Sequence, residues 1–318
     1  MSTLRVPICV FAALLLLAVS GAVPAQDYPN RIIRVITAEA AGGSDFTARL
    51  IAPDLSTNLG QPLVVDNRLT LIAIETAAKA PSDGYTLLII GSPLWLTPLV
   101  RNVSFDPLRD FSPVSLATSS PCMLVVHPAL PVTSVRELIA LAKARPGEIN
   151  YSGAGAGASN QFAAELFKSM AGINLVAINY KGVSPALNAL IAGEVQVMFP
   201  VAVSAIPHVK SGRLRALAVT SMQPYSVYPE LPTIDAAGLP GYEELAMQGI
   251  FAPAGTPAAV INRLNREIVR VLNKPEVKEK FLVAGVETVG NSPEQFAAAI
   301  KAEMARLGKV IRNVGVRE

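Results

Sequence analysis

From Arg31 onward, short runs of β-branched and aliphatic residues alternate with longer stretches whose apolar positions recur every three or four residues. Ile32 to Thr37 reads as a strand, Phe46 to Leu59 as a helix and Pro62 to Val65 as the next strand. Ser134 and Glu137 make a capping box that opens a helix running to Pro146, and Ile149 to Ser152 gives the strand after it. Asn160 to Ala171 carries Phe162, Leu166, Phe167 and Met170 on one helical face, and Gly172 ends it. There follow a strand at Leu175 to Asn179, a helix begun by Ser184-Pro185 and stopped near Gly193, and strands at Val195 to Phe199 and Leu214 to Thr220. This alternation predicts an α/β fold with a parallel sheet. The tail turns helical, with a long helix from Thr256-Pro257 to Leu272, another from Pro275 to Ala284, and a last one capped by Ser292-Pro293-Glu294-Gln295.

Before this pattern begins, Arg5 precedes an unbroken apolar run from Val6 to Val19. Val23-Pro24-Ala25 then fits an A-x-A-like cleavage site, so residues 1–25 read as a secretory signal peptide cleaved near Ala25. The run is shorter than the roughly 20 residues that a spanning helix needs. The expected location is therefore the periplasm, as a soluble chain. Cleavage would remove Cys9 and leave Cys122 alone, which excludes an intrachain disulfide and marks Cys122 as a small buried residue. The length beyond the leader exceeds a usual single core, so two domains with a cleft between them are expected.

Charge excludes some partners. Of 27 Lys and Arg only Arg5 falls in the leader, and all 24 acids lie outside it, with no basic or acidic run. Nucleic acid and polyanionic surfaces are thus not expected partners. Nor does a catalytic constellation appear. His127 and His208 are isolated beside prolines, Gly-x-Ser-x-Gly is absent, and no Cys or His pair has metal-ligand spacing. Glu243-Glu244, and Asp235 with Glu230, read as solvated loop groups. The expectation is a protein that is not an enzyme and carries neither cofactor nor metal.

Two glycine-bearing junctions do carry binding chemistry. Ala38-Glu39-Ala40-Ala41-Gly42-Gly43-Ser44-Asp45 joins a strand to a helix start, where free amide N–H groups and the positive helix end meet, and glycine admits an anion close to the backbone. An ordinary turn with Asp45 as a helix cap fits the same residues. Ser152-Gly153-Ala154-Gly155-Ala156-Gly157-Ala158-Ser159-Asn160 repeats the arrangement, with Ser152, Ser159 and Asn160 as added hydrogen-bonding groups. Gly153, Gly155 and Ala158 meet a loose dinucleotide fingerprint, but the next strand ends in Asn179-Tyr180-Lys181 with no acid for a ribose. A plain flexible turn is the other reading. A third junction, Tyr180-Lys181-Gly182-Val183-Ser184-Pro185, offers the charge of Lys181 and the amides from Gly182 to Ser184, although an exposed Lys in a turn is usually only solvated. Ser92, Asp66-Asn67-Arg68 and Trp95 are possible wall or rim groups, with core or structural roles open for Arg68 and Trp95.

An ordered set of landmarks spans nearly the whole chain beyond the leader. It includes Tyr28-Pro29, Gly42-Gly43 with Asp45, Leu59-Gly60-Gln61-Pro62, Asp66-Asn67-Arg68, Asp83-Gly84-Tyr85-Thr86 and Asp106-Pro107 with Asp110-Phe111. Tyr180-Lys181-Gly182, Leu214 to Thr220, Gly238-Leu239-Pro240-Gly241-Tyr242 and Phe251 to Pro257 complete it. In these the chain resembles the extracytoplasmic solute receptors of tripartite tricarboxylate transporters, the Bug or TctC family. The resemblance implies a type II periplasmic binding protein, with two α/β domains joined by two crossing strands. It implies one domain of residues 26–120 plus 248–318 and a second of residues 121–247, with crossings near Ala117 to Pro121 and Gln248 to Ala252. It further implies a small carboxylate ligand in the cleft, membrane subunits of a tripartite transporter as partners, and a monomer. The ligand-binding set it implies is Ala40, Ala41, Gly42, Gly43, Ser44, Asp45, Ser92, Ser152, Gly155, Gly157, Ser159, Asn160, Lys181, Gly182 and Ser184. A sensor subunit signalling to a membrane kinase, or an orphan receptor without an uptake role, would use the same binding chemistry.

The chain departs from the family pattern in several places. Glu39 stands in a segment that is usually proline-rich, and Leu69 to Ile74 replaces a glycine-rich loop. Gln161 stands where His is frequent, and Pro200-Val201 where Asp-Asn is frequent. Fewer polar groups in the cleft imply a ligand less charged or more apolar than a tricarboxylate.

Overall fold

The computed structural model describes residues 28–38, 40, 42–153 and 159–314. The leader Met1 to Ala25 lies outside the described residues, as do Glu39, Ala41, Gly155 and Gly157. The chain begins as β1 (Ile33–Thr37), α1 (Gly43–Leu59), β2 (Leu63–Asn67), α2 (Thr70–Ala78), β3 (Thr86–Gly91) and α3 (Pro93–Val100). It then leaves along β4 (Phe111–Pro121). The second lobe holds β5 (Met123–Val126), α4 (Val135–Ala144), β6 (Asn150–Gly153), α5 (Ser159–Ala171), β7 (Val176–Asn179), α6 (Val183–Ala192), β8 (Val197–Met198), α7 (Ala202–Lys210) and β9 (Arg215–Val219). The chain returns through β10 (Leu245–Pro253) to α8 (Ala258–Leu272), α9 (Pro275–Val283), β11 (Glu287–Thr288) and α10 (Pro293–Val314). Two sheets result, ordered β11-β4-β10-β3-β1-β2 and β7-β6-β8-β5-β9.

Both sheets are mixed, which corrects the expectation of a parallel one. β1 lies parallel to β2 and β3, and β6 parallel to β7 and β8. β10, however, runs antiparallel to β3 and β4, and β5 antiparallel to β8 and β9. The reason is topological. A chain that leaves a sheet along one strand and returns from another lobe re-enters in the opposite direction, and such strands can only pair antiparallel. The exit is abrupt, because β4 ends at Pro121 and β5 opens at Met123, with the buried, unbridged Cys122 between them. On the return, Glu244 N–H donates to Thr220 C=O at 3.0 Å immediately before β10 begins.

Local sequence accounts for most elements. α4 has its predicted cap, since Ser134 Oγ accepts from Glu137 N–H at 3.2 Å, and the Glu137 carboxylate accepts in return from Thr133 N–H at 2.6 Å. The segment after Arg68 is a helix, α2, whose residues Ala73, Ile74 and Ala77 are fully buried. Lacking glycine and spaced i, i+1, i+4 in its buried positions, it forms an amphipathic turn against the sheet. Phe162, Leu166 and Phe167 of α5 are buried as the helical face predicts, whereas Met170 is 37 % exposed.

Trp95 belongs to the core. It packs with Phe251 and Phe296, and its Nε1–H donates to Glu303 Oε2 at 2.7 Å. Glu244 overturns the reading of Glu243-Glu244 as solvated. Its side chain is fully buried beside the Arg306 guanidinium, which donates to Glu244 Oε2 at 3.3 Å and also to the Glu243 carbonyl. A partner 62 residues away along the chain makes that burial tolerable.

Candidate functional site

Where the lobes face each other they enclose a cleft of about 440 Å³, a volume suited to a small molecule. Four helices begin on its walls. Gly42 and Gly43 stand at the start of α1, Ser159 at α5, Val183 and Ser184 at α6, and Val201, Val203 and Ser204 at α7. No side chain caps the N-termini of α1, α6 or α7. Helix N-termini carry unsatisfied N–H groups and a partial positive charge, so each of these four starts contributes backbone dipoles that favour an anion at the cleft wall. Among the described residues no Lys, Arg, His, Asp or Glu lines it.

The floor of the cleft comes from the two strands that join the lobes. Ala246 and Gln248 alternate on β10, and their register partners on β4 are Ser120 and Thr118. Alternate residues of a strand face the same way, which presents all four together. Ser120 is engaged, since its Oγ donates to Gly285 C=O at 3.0 Å. Thr118 Oγ1 is buried with no hydrogen-bond partner. Phe46, Ala284 and Val286 add apolar surface on the same side.

The predicted binding residues divide. Gly42, Gly43, Ser159 and Ser184 line the cleft, and Ser92 meets Ser159 hydroxyl to hydroxyl at 3.1 Å, tying the two lobes together. Ser44 is buried and donates to Gln248 Oε1 at 2.6 Å. The Asp45 carboxylate is held in a structural clamp, accepting at Oδ1 from Arg49 Nε at 2.8 Å and from Asn67 Nδ2 at 2.8 Å. Asn67 also donates to Ala38 C=O at 2.9 Å, so this clamp shapes the first junction from behind. Arg68 is structural too, bonded to Asp66 at 3.1 Å. Ser152 Oγ and both polar atoms of the Asn160 side chain are buried without partners, flanking residues 154–158. Ala40 and Lys181 are exposed and do not line the cleft, while Gly182 turns the chain into α6 with φ +110°.

Sequence reasoning missed Thr118, Gln248, Val203, Ser204 and Val286. A readable signal existed for Gln248 alone, as a polar residue on the otherwise apolar face of a strand. The lobes also meet beyond the cleft, where Tyr225 Oη–H donates to Gly285 C=O at 2.5 Å and Ser226 Oγ to Glu287 Oε1 at 3.2 Å. Gly285 has φ +69°, and a Cβ there would stand 2.9 Å from Tyr225 Oη and 3.2 Å from Val203 Cβ. Only glycine allows that approach without strain.

His127 and His208 do not line the cleft, and among the described residues no group of three His, Cys, Asp or Glu is placed to hold a metal. No helix among them is long and apolar enough to cross a membrane.

Comparison with known proteins agrees with this architecture. Protein BugT of Bordetella pertussis is 35 % identical over 306 residues, covering 94 % of each chain. A protein from the tcbD-tcbE intergenic region of Pseudomonas sp. strain P51 is 38 % identical, over 89 % of this chain and 86 % of the relative. Among solved structures, R. palustris Rpa4515 with adipate superimposes with a TM-score of 0.83 at 36 % identity, covering 91 % of this chain and 99 % of that one. MatC from Rhodopseudomonas palustris with bound malate gives 0.78 at 28 % identity, covering 89 % and 100 %. The profile of the tripartite tricarboxylate transporter family receptor matches residues 47–316, and the chain belongs to that family.

Proposed function

We propose that this protein is an exported periplasmic receptor that binds a small carboxylate in the cleft between its lobes and delivers it to the membrane subunits of a tripartite transporter. The observation that carries the reading is the convergence of four helix N-termini on one cleft that, among the described residues, no charged side chain lines. A carboxylate desolvated there exchanges water for fixed N–H donors, and such charge-assisted bonds need no counter-ion from the protein. Gly42, Gly43 and Ser184 are the proposed contacts from the two sides, with Ser92 and Ser159 supporting the closed arrangement. The relatives with bound adipate and malate support the ligand class.

Residues 26–120 with 248–318 form one proposed domain and 121–247 the other, moving about β4 and β10. Export with cleavage near Ala25 and a monomeric state complete the proposal. The ligand class is narrowed by Phe46, Val183, Val201, Val203 and Val286 on the walls. These favour a carboxylate with an apolar body over a highly charged tricarboxylate, because each further charge would be desolvated without a cationic partner. Calorimetry with citrate, malate, adipate and benzoate tests this, and citrate binding tightest would reject the narrowed class. Mass spectrometry of ligand retained through native purification would identify the physiological solute.

A further inference from the structure

The Thr118 hydroxyl has no hydrogen-bond partner although the residue is only 1 % exposed. A buried hydroxyl left unpaired costs about 1–3 kcal/mol, and folded proteins retain few such groups without cause. Its surroundings supply one. Thr118 lines the cleft and is the register partner of Gln248 on the neighbouring strand. Partners on antiparallel strands project from the same face with Cβ atoms roughly 5 Å apart.

Gln248 is held in place rather than loose. Ser44 Oγ–H donates to its Oε1 at 2.6 Å, which leaves the two N–H groups of the carboxamide to be satisfied elsewhere. Space for that carboxamide is made by two glycines. A Cβ on Gly43 would lie 3.1 Å from Gln248 Nε2, and one on Gly91 would lie 3.1 Å from the same atom and 3.0 Å from Met247 C=O. The α1 N-terminus, a neutral amide donor and an unpaired hydroxyl are thus gathered at one end of the cleft.

We propose that Thr118 and Gln248 contact the ligand directly, with Ser44 as the residue that positions Gln248, so that the crossing strands are part of the binding site. The inference rests on the carboxylate-receptor reading and adds to it a floor supplied by the hinge. Thr118 can donate to a carboxylate oxygen, and the Gln248 N–H groups can donate beside the Gly43 amide. No group on this floor carries charge, so binding does not bury a second ion.

The test uses the full chain after export, with calorimetry and thermal melting in parallel, and as probe whichever of adipate, malate and benzoate binds most tightly. Thr118→Val exchanges an unpaired hydroxyl for a methyl group of similar size. It is expected to raise the melting temperature of the ligand-free protein while lowering affinity about tenfold. Thr118→Ser keeps a hydroxyl and should hold affinity within about twofold, and Ser44→Ala should weaken binding several-fold by releasing Gln248. Opposite movement of stability and affinity is the signature that a merely structural threonine cannot give. Unchanged affinity in Thr118→Val, or a loss of stability and affinity together, would overturn the proposal while leaving the carboxylate-receptor reading intact. Failure of all three probes to bind the parent protein would overturn both.

Discussion

At the Glu244 end of β10, carboxyls are buried against the Arg306 guanidinium, whereas at Gln248, four residues on, the same strand meets the cleft with a neutral carboxamide. Around Glu244 the fold collects Glu303 and Arg306 from α10 and the Trp95 indole N–H from α3. Burial pushes the Glu244 carboxyl well above its usual range, with Glu303 adding to the effect and Arg306 opposing it. The Gln248 end does the reverse, offering the unpaired Thr118 hydroxyl and, among the described residues, no ionised group. The difference teaches how one fold keeps its buried ionisable groups apart from a cleft lined, among the described residues, by neutral dipoles. Ionisable groups are spent on one another inside the scaffold, and the described cleft wall offers fixed dipoles, which need no reorganisation when ligand arrives.

Removing the compensating charge should break the comparison most severely. Arg306→Met leaves two buried carboxyls without a guanidinium and is expected to cost on the order of 3 kcal/mol at pH 8. The loss should shrink at pH 5, where both carboxyls can be protonated. Thermal melts at the two pH values check this, and equal losses would contradict the assigned roles. At the other end, Gly43→Ile crowds Gln248 Nε2 and the α1 amides, so carboxylate affinity should fall about a hundredfold or more, with circular dichroism and melting temperature nearly unchanged. Retained affinity in calorimetry would remove Gly43 from the site.

A smaller effect sharpens the same contrast. Burial lifts the Glu303 carboxyl from its ordinary 4.5 to about 7, against the opposing Trp95 N–H and Arg306. Between those values the folded protein holds a proton that the unfolded chain releases, so this group's contribution to stability falls as pH rises from about 4.5 through 7. Glu303→Gln keeps an acceptor for Trp95 and should therefore raise stability by about 1 kcal/mol at pH 8, or roughly 2–4 °C, and change little at pH 4. Trp95 is the sole tryptophan, so its emission should titrate near pH 7 in the parent protein and not in the variant. The smallest expected effect is at Lys181, which is exposed and away from the cleft wall. Lys181→Ala should leave affinity within about twofold, the range of a solvated surface charge, and a larger loss would draw this lysine into the site.

Much of the fold was legible because its signals are local. The Ser134–Glu137 capping box, the strand periods of Ile33–Thr37 and Arg215–Val219, and the glycines before α1 each act within a few residues. The junction at Gly42 and Gly43 could be picked out as a candidate for the same reason, since a glycine-bearing turn from a strand into a helix start is read from consecutive residues. Thr118 and Ser204 carried no such mark. Each is an ordinary polar residue until the opposite strand or lobe is in place.

By itself, then, the sequence determined the α/β elements, the two glycine-bearing junctions at Gly42-Gly43 and Ser152 to Asn160, and the family landmarks, because turns, caps and periodicity are written in consecutive residues. Tertiary structure alone decided that β10 pairs with β4, that Thr118 and Gln248 share the cleft floor, and that Glu244 lies buried beside Arg306. The physical reason is that burial and hydrogen-bond satisfaction depend on partners brought from distant positions, and no local pattern of residues encodes which partners those will be.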